Sequence, residues 1–128
     1  MSFIYRRALQ NYTFPNILAG DTKCVLVRTG GGEYNPNQDT DEFLSDIPGG
    51  SQVAITASLA GRTWTLGRFG CTDFTFGVVA AGAPCQAIVV FEDSGVPGTS
   101  PLLAFIDTGT GLPVTPDGTG PINAAVAV

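Results

Sequence analysis

Polar and apolar residues change places along this chain on two rhythms. Through Thr63-Trp64-Thr65-Leu66 and Asp73-Phe74-Thr75-Phe76 they alternate one for one, which is the period of a pleated strand that turns its apolar side chains to one face. In "QAIVVF" and "LLAFI" the alternation disappears, as it does in strands covered on both faces. The ten residues between these two runs are rich in Gly, Pro and Ser. The runs are therefore expected to be neighbouring central strands joined by a hairpin loop, with the core centred on them.

Other segments read the same way. "TKCVLVR", from Thr22 to Arg28, is β-branched and apolar and stops at Gly30-Gly31-Gly32. "QVAITASL", "RTWTLGRF" and "CTDFTFGVV" follow, broken by Gly61, Gly67, Gly77 and Gly82. Short alternating runs with frequent turns predict a mainly β fold, an antiparallel β-sandwich or barrel. Two pieces of helix are expected beside it. Phe3, Ile4, Ala8 and Leu9 stand near helical spacing, with Ser2 as an N-cap and Pro15 beyond the end, which predicts a short N-terminal helix or arm. In the polar stretch "EYNPNQDTDEFLSDIPGG", Thr40 is placed to cap one helical turn from Asp41 to Ser45, while Phe43, Leu44 and Ile47 pin the loop to the core. The tail "PINAAVAV" is a final strand or an arm that a partner covers. The expected organisation is one β domain over 1–128, with an arm or helix at 1–20, a β core at 21–120 and a closing strand or arm at 121–128.

Composition narrows the function. Charged residues make up 13% of the chain, against about 25% in an average domain. With 44% hydrophobic residues, 17 Gly and 9 Pro, the charge is too sparse for an ordinary solvated surface, so part of that surface is expected to be covered by something else. A net charge of −5, with its basic residues scattered as Arg6, Arg7, Lys23, Arg28, Arg62 and Arg68, argues against nucleic acid, whose phosphates require clustered Lys and Arg. No run reaches the length of a membrane span, and "MSFIYRRALQ" lacks the long apolar region and cleavage site of a signal peptide. Synthesis in a cytoplasm, with no membrane partner, is the expectation; on that ground "NYT" at Asn11 is discounted as a glycosylation acceptor.

The chemistry offered is thin. Cys24, Cys71 and Cys85 have no Cys-x-x-Cys spacing, and the chain has no histidine; a zinc set is not completed, and the cysteines read as small buried apolar residues. Without histidine, Ser-His-Asp and Cys-His arrangements are closed to a single chain. "DTDE" at Asp39 to Glu42 lacks the Gly and distal Glu of a calcium loop, and "TGGGEY" runs into neither Gly-Lys-Ser nor a helix. One motif stands out: "LLAFIDTGTGLPV" delivers Asp107-Thr108-Gly109 from a strand, as in aspartic proteases. Those enzymes share one proton between two such carboxylates. Asp-Thr-Gly occurs here once, and the stretch from Thr108 to Val128 leaves no room for the remaining parts of such an enzyme. Asp107 is read instead as a strand end, with Gly109, Gly111, Pro113 and Pro116 shaping the turns after it. No catalytic, cofactor-binding or metal-binding residue is expected.

The blocks "CVLVRTGGGEYNPNQDTDEFLSDIP", "VAITASLAGRTW", "GRFGCTDFTF" and "AIVVFEDSGVPGTSPLLAFIDTGTGLPVTPDG" resemble a group of small structural proteins of tailed bacteriophages. The resemblance covers roughly residues 20 to 120 and is most specific in "FIDTGTGLPVTPDG" and "FLSDIP". This chain departs from the group at both ends. Its start is shortened and aromatic, and it closes on "PINAAVAV" where members carry a strand with Trp, Asp and Asn and a basic tail.

What the resemblance implies is a non-enzymatic virion component, a head decoration or cement protein on the capsid surface. Its partners would be the major capsid protein and neighbouring copies of itself, with a trimer expected by analogy alone. The terminal arms and the loop from Glu33 to Ile47 are where those contacts are expected. A part of the tail, neck or baseplate is the alternative. A carbohydrate-binding sandwich that uses Trp64 and Tyr34 as stacking platforms is the second.

Overall fold

The computed structural model describes residues 2–11, 20–30, 33–66, 68–108 and 112–124, without the side chains of residues 11, 64, 65 and 68. Several expected features lie outside the described residues: Pro15, most of "NYT", Gly31 and Gly32 of the glycine turn, Gly67, Gly109, Gly111, the Trp64 side chain and the last four residues of the tail.

In chain order the elements are β1 (Phe3–Ile4), α1 (Arg6–Asn11), β2 (Asp21–Val27), β3 (Gln52–Ile55), β4 (Thr63–Thr65), β5 (Arg68–Gly70), β6 (Phe74–Val78), β7 (Ala87–Asp93), β8 (Leu102–Ile106) and β9 (Pro121–Ala124). Among the described residues three single 3-10 turns, Leu44–Asp46, Gly49–Ser51 and Pro97–Thr99, lie in the loops. The protein is mainly β, and every strand pair is antiparallel.

The main sheet has five strands in the order β1-β8-β7-β2-β3. The two continuous apolar runs are adjacent β7 and β8, as their composition predicts, and every residue of β8 is buried. Residues opposite one another in a sheet share a face, so Phe3, Phe105, Val89 and Val25 form one row, and Ile106, Ile88 and Leu26 form a row on the other face. The first row ends in an aromatic cluster. The Phe3 and Phe105 rings stack at 5.1 Å between centroids, and Tyr5 and Tyr34 meet them edge-on. Across the second row lie the β6–β9 ladder and the segment around Val114, which add Phe76, Leu112, Val114 and Ile122. Two apolar faces covered from opposite sides make the layered, sandwich-like arrangement.

Hydrogen bonds and glycines shape the connections. Between β7 and β8, Asp93 Oδ1 accepts the Gly95 N–H at 2.8 Å, and Ser94 Oγ lies 2.6 Å from Thr99 Oγ1. Gly95 takes a φ of +90° there, a conformation that side chains resist. Gly61, at φ +60°, has no room for a Cβ, because Thr72 Oγ1 would overlap it.

Three local expectations are corrected. Phe3 and Ile4 belong to a strand, not a helix: β1 pairs with β8, and the helix begins only at Arg6. The burial of Phe3 on Phe105 outweighs helical spacing in so short a segment. The helical turn expected from Asp41 to Ser45 under a Thr40 cap lies at Leu44–Asp46. Asp46 Oδ2 organises it, accepting the N–H groups of Glu42 at 2.8 Å and Phe43 at 2.9 Å. Leu66, placed by alternation on the apolar face with Trp64, lies past the end of β4 in the turn and is fully exposed. Leu44 and Ile47, by contrast, are buried and anchor the loop as expected.

Candidate interaction surfaces

Asp107 directly follows β8 and is half-buried. Its main-chain N–H donates to Ser2 Oγ at 3.3 Å, and the same hydroxyl lies 2.7 Å from Thr108 Oγ1. The Asp-Thr pair thus ends a strand and receives the start of the chain.

The loop from Glu33 to Ile47 is tied to the N-terminal segment at several points. The Tyr34 hydroxyl donates to Asp41 Oδ2 at 2.7 Å and lies 2.7 Å from the Tyr5 hydroxyl. Asp41 Oδ2 also accepts the Asn37 N–H at 2.9 Å. Gln38 Nε2 donates to the Ile4 carbonyl, and the Arg6 N–H donates to the Gln38 carbonyl. Outside these, Arg6 and Asp39 form an exposed ion pair at 2.7 Å. Burial pushes both phenols well above the ordinary tyrosine value, so they stay protonated and remain donors. Tyr34 is 2% exposed and packed edge-on against Phe105, so it presents no ring face to a sugar.

The acidic run is spent on structure in the same way: Asp39 pairs with Arg6 and Asp41 serves Tyr34 and Asn37. Among the described residues no three His, Cys, Asp or Glu side chains are grouped so as to hold a metal ion. Cys24 and Cys85 are buried, Cys71 is half-buried, and all three are free thiols. Burial raises each of them above the usual thiol value, which suppresses the reactive thiolate. No helix among the described residues is long and apolar enough to cross a membrane.

Two places are less well closed. The first is an edge of the main sheet. At β1 the edge is only two residues long, and the Gln38 side chain covers it. At β3 the edge carries Gln52-Val53-Ala54-Ile55, with neither charge nor proline to discourage another strand. The Thr56 N–H donates to the Cys24 carbonyl at 2.9 Å, so antiparallel alternation turns the Ile55 main chain away from β2. The Ile55 side chain is 46% exposed at the same point.

The second lies under β9. An apolar cavity of about 220 Å³, partly open to solvent, is lined by Leu26, Phe76, Ile88, Leu112 and Val114, with Pro121, Ile122, Asn123 and Ala124 at the β9 side. Neither feature was legible in the sequence. An edge is defined by which strands pair, and the cavity by the fit between layers distant in the chain.

Compared with family models, curated proteins and solved structures, the chain matches none.

Proposed function

We propose that this protein is a non-enzymatic structural component of a tailed-phage particle, a head decoration or cement protein that binds the outer capsid surface, bridges major capsid subunits and stabilises the shell. The sequence blocks that resemble such proteins motivate the reading, and the open β3 edge is the observation that carries it. An uncharged edge with outward main-chain groups and an exposed Ile55 accepts a strand or arm of a neighbour by adding it to the sheet. The loop from Glu33 to Ile47, held by the bonds to Tyr5, Ile4 and Arg6, adds a preorganised surface, which lowers the ordering cost of docking. Each site contributes modestly, and repetition over a lattice supplies the strength through linked contacts.

The test is the composition of purified particles formed with the natural chain and with Ile55→Lys. The natural chain is expected at a copy number that matches the capsid lattice. Ile55→Lys is expected to fold with a stability change within about 0.5 kcal/mol, as for other surface replacements, yet to be lost from the shell. A few copies per particle, in threes or sixes, would move the protein to the tail or neck. Full incorporation of Ile55→Lys would remove the edge from the account.

A further inference from the structure

The turn between β4 and β5 breaks a local rule. Thr65 pairs with Arg68, which leaves a two-residue loop whose first member is Leu66. That position favours Asn, Asp or Gly, because φ is positive there. Leu66 nevertheless occupies it at φ 51°, in the left-handed region where a Cβ is disfavoured. Its side chain is also completely exposed, at 101%. Strain and full solvation of a leucine gain nothing for the fold of a single copy.

The cavity under β9 is the complementary shape. Its apolar lining comes from both layers of the fold, and its volume is about 220 Å³. A dry apolar cavity of about 150 Å³ is enough to hold a benzene ring, so the four-carbon side chain of a leucine fits. We propose that Leu66 of one copy inserts into the β9 cavity of a second copy, joining the chains head to tail.

Projection and cavity are different patches of one surface. The contact is therefore heterologous: it closes into a ring where the rotation between copies permits, and otherwise continues as an open chain. The turn conformation holds Leu66 away from its own domain, where it reaches a neighbour. Burying that side chain together with the cavity walls removes apolar surface of both copies from water, and this is the driving force. The inference concerns contacts between copies and stands apart from what the shell offers at β3.

Sedimentation of the purified full-length chain, with no capsid present, tests it. The natural chain is expected to sediment as an oligomer and Leu66→Asn as a folded monomer; at a dilution at which both chains are monomers, the thermal midpoint of Leu66→Asn is expected unchanged or raised because Asn suits the left-handed position. Ala124→Phe, which fills the cavity from β9, is expected to be monomeric as well. Mixed, the two variants still hold one intact cavity and one intact Leu66 between them. They are expected to form a one-to-one dimer that neither forms alone. A monomeric natural chain, a folded Leu66→Asn that keeps the oligomer, or variants that fail to pair on mixing would each overturn the proposal.

Discussion

The Ser2 hydroxyl lies 2.7 Å from that of Thr108, across nearly the whole length of the chain, and accepts the Asp107 N–H as well. The first residues therefore close the far end of β8, and β1 holds them there by pairing Phe3 with Phe105 and Ile4 with Ala104.

Removing that closure costs stability in two sizes. Ser2→Ala leaves the Asp107 N–H without this acceptor and is expected to cost about 1 kcal/mol. Phe3→Ala removes a buried ring stacked on Phe105 and is expected to cost about 3–5 kcal/mol. Urea unfolding measures both; a Phe3→Ala cost no larger than that of Ser2→Ala would mean that β1 is peripheral to the fold.

The tyrosine pair sets an alkaline limit. Burial raises both phenols in the folded protein, so the unfolded chain loses these protons first and stability falls as pH rises beyond about 10. Phenolate absorbance from Tyr5 and Tyr34 is expected to appear only together with unfolding. Tyr34→Phe strands the buried hydroxyl of Tyr5 and is expected to cost about 1–3 kcal/mol. The double replacement with Tyr5→Phe is expected to cost less than the sum of the singles; strict additivity would mean that the two hydroxyls act independently.

Lys23 and Asp93 set a smaller acid limit. The hydrogen bond from Lys23 Nζ at 2.6 Å, with help from the Gly95 N–H, holds the Asp93 carboxyl below its ordinary value. The unfolded chain then binds that proton more tightly, so the contribution is present above about pH 3.9 and is lost as pH falls through the depressed folded value. The pair is partly solvated, which limits it to about 1 kcal/mol or less. Lys23→Met is expected to flatten this part of the pH profile of stability; an unchanged acid limb would show that the pair contributes nothing.

Much of the fold was legible in residue pattern. Ala87 to Phe91 and Leu102 to Ile106 announced themselves as paired central strands, because burial on both faces leaves no polar position to alternate with. What was not legible has a common cause. Phe3 and Ile4 take strand geometry only because a partner about a hundred residues later supplies the ladder. The 3-10 turn formed at Leu44 rather than at Asp41, because the Asp46 carboxylate reaches back to the Glu42 and Phe43 N–H groups and Thr40 does not cap it.

By itself, the sequence determined that the chain is mainly β, that the core centres on β7 and β8, and that Leu44 and Ile47 anchor the long loop. These follow from the local period of apolar side chains, which any pleated strand or anchored loop must satisfy. Only the tertiary structure decided that the N-terminus is a strand of the main sheet, that β3 is an open edge, and that Leu66 projects into water while a cavity of matching size opens under β9. Edges, cavities and projections are relations between segments far apart in the chain, set by pairing and packing, and no local pattern encodes them.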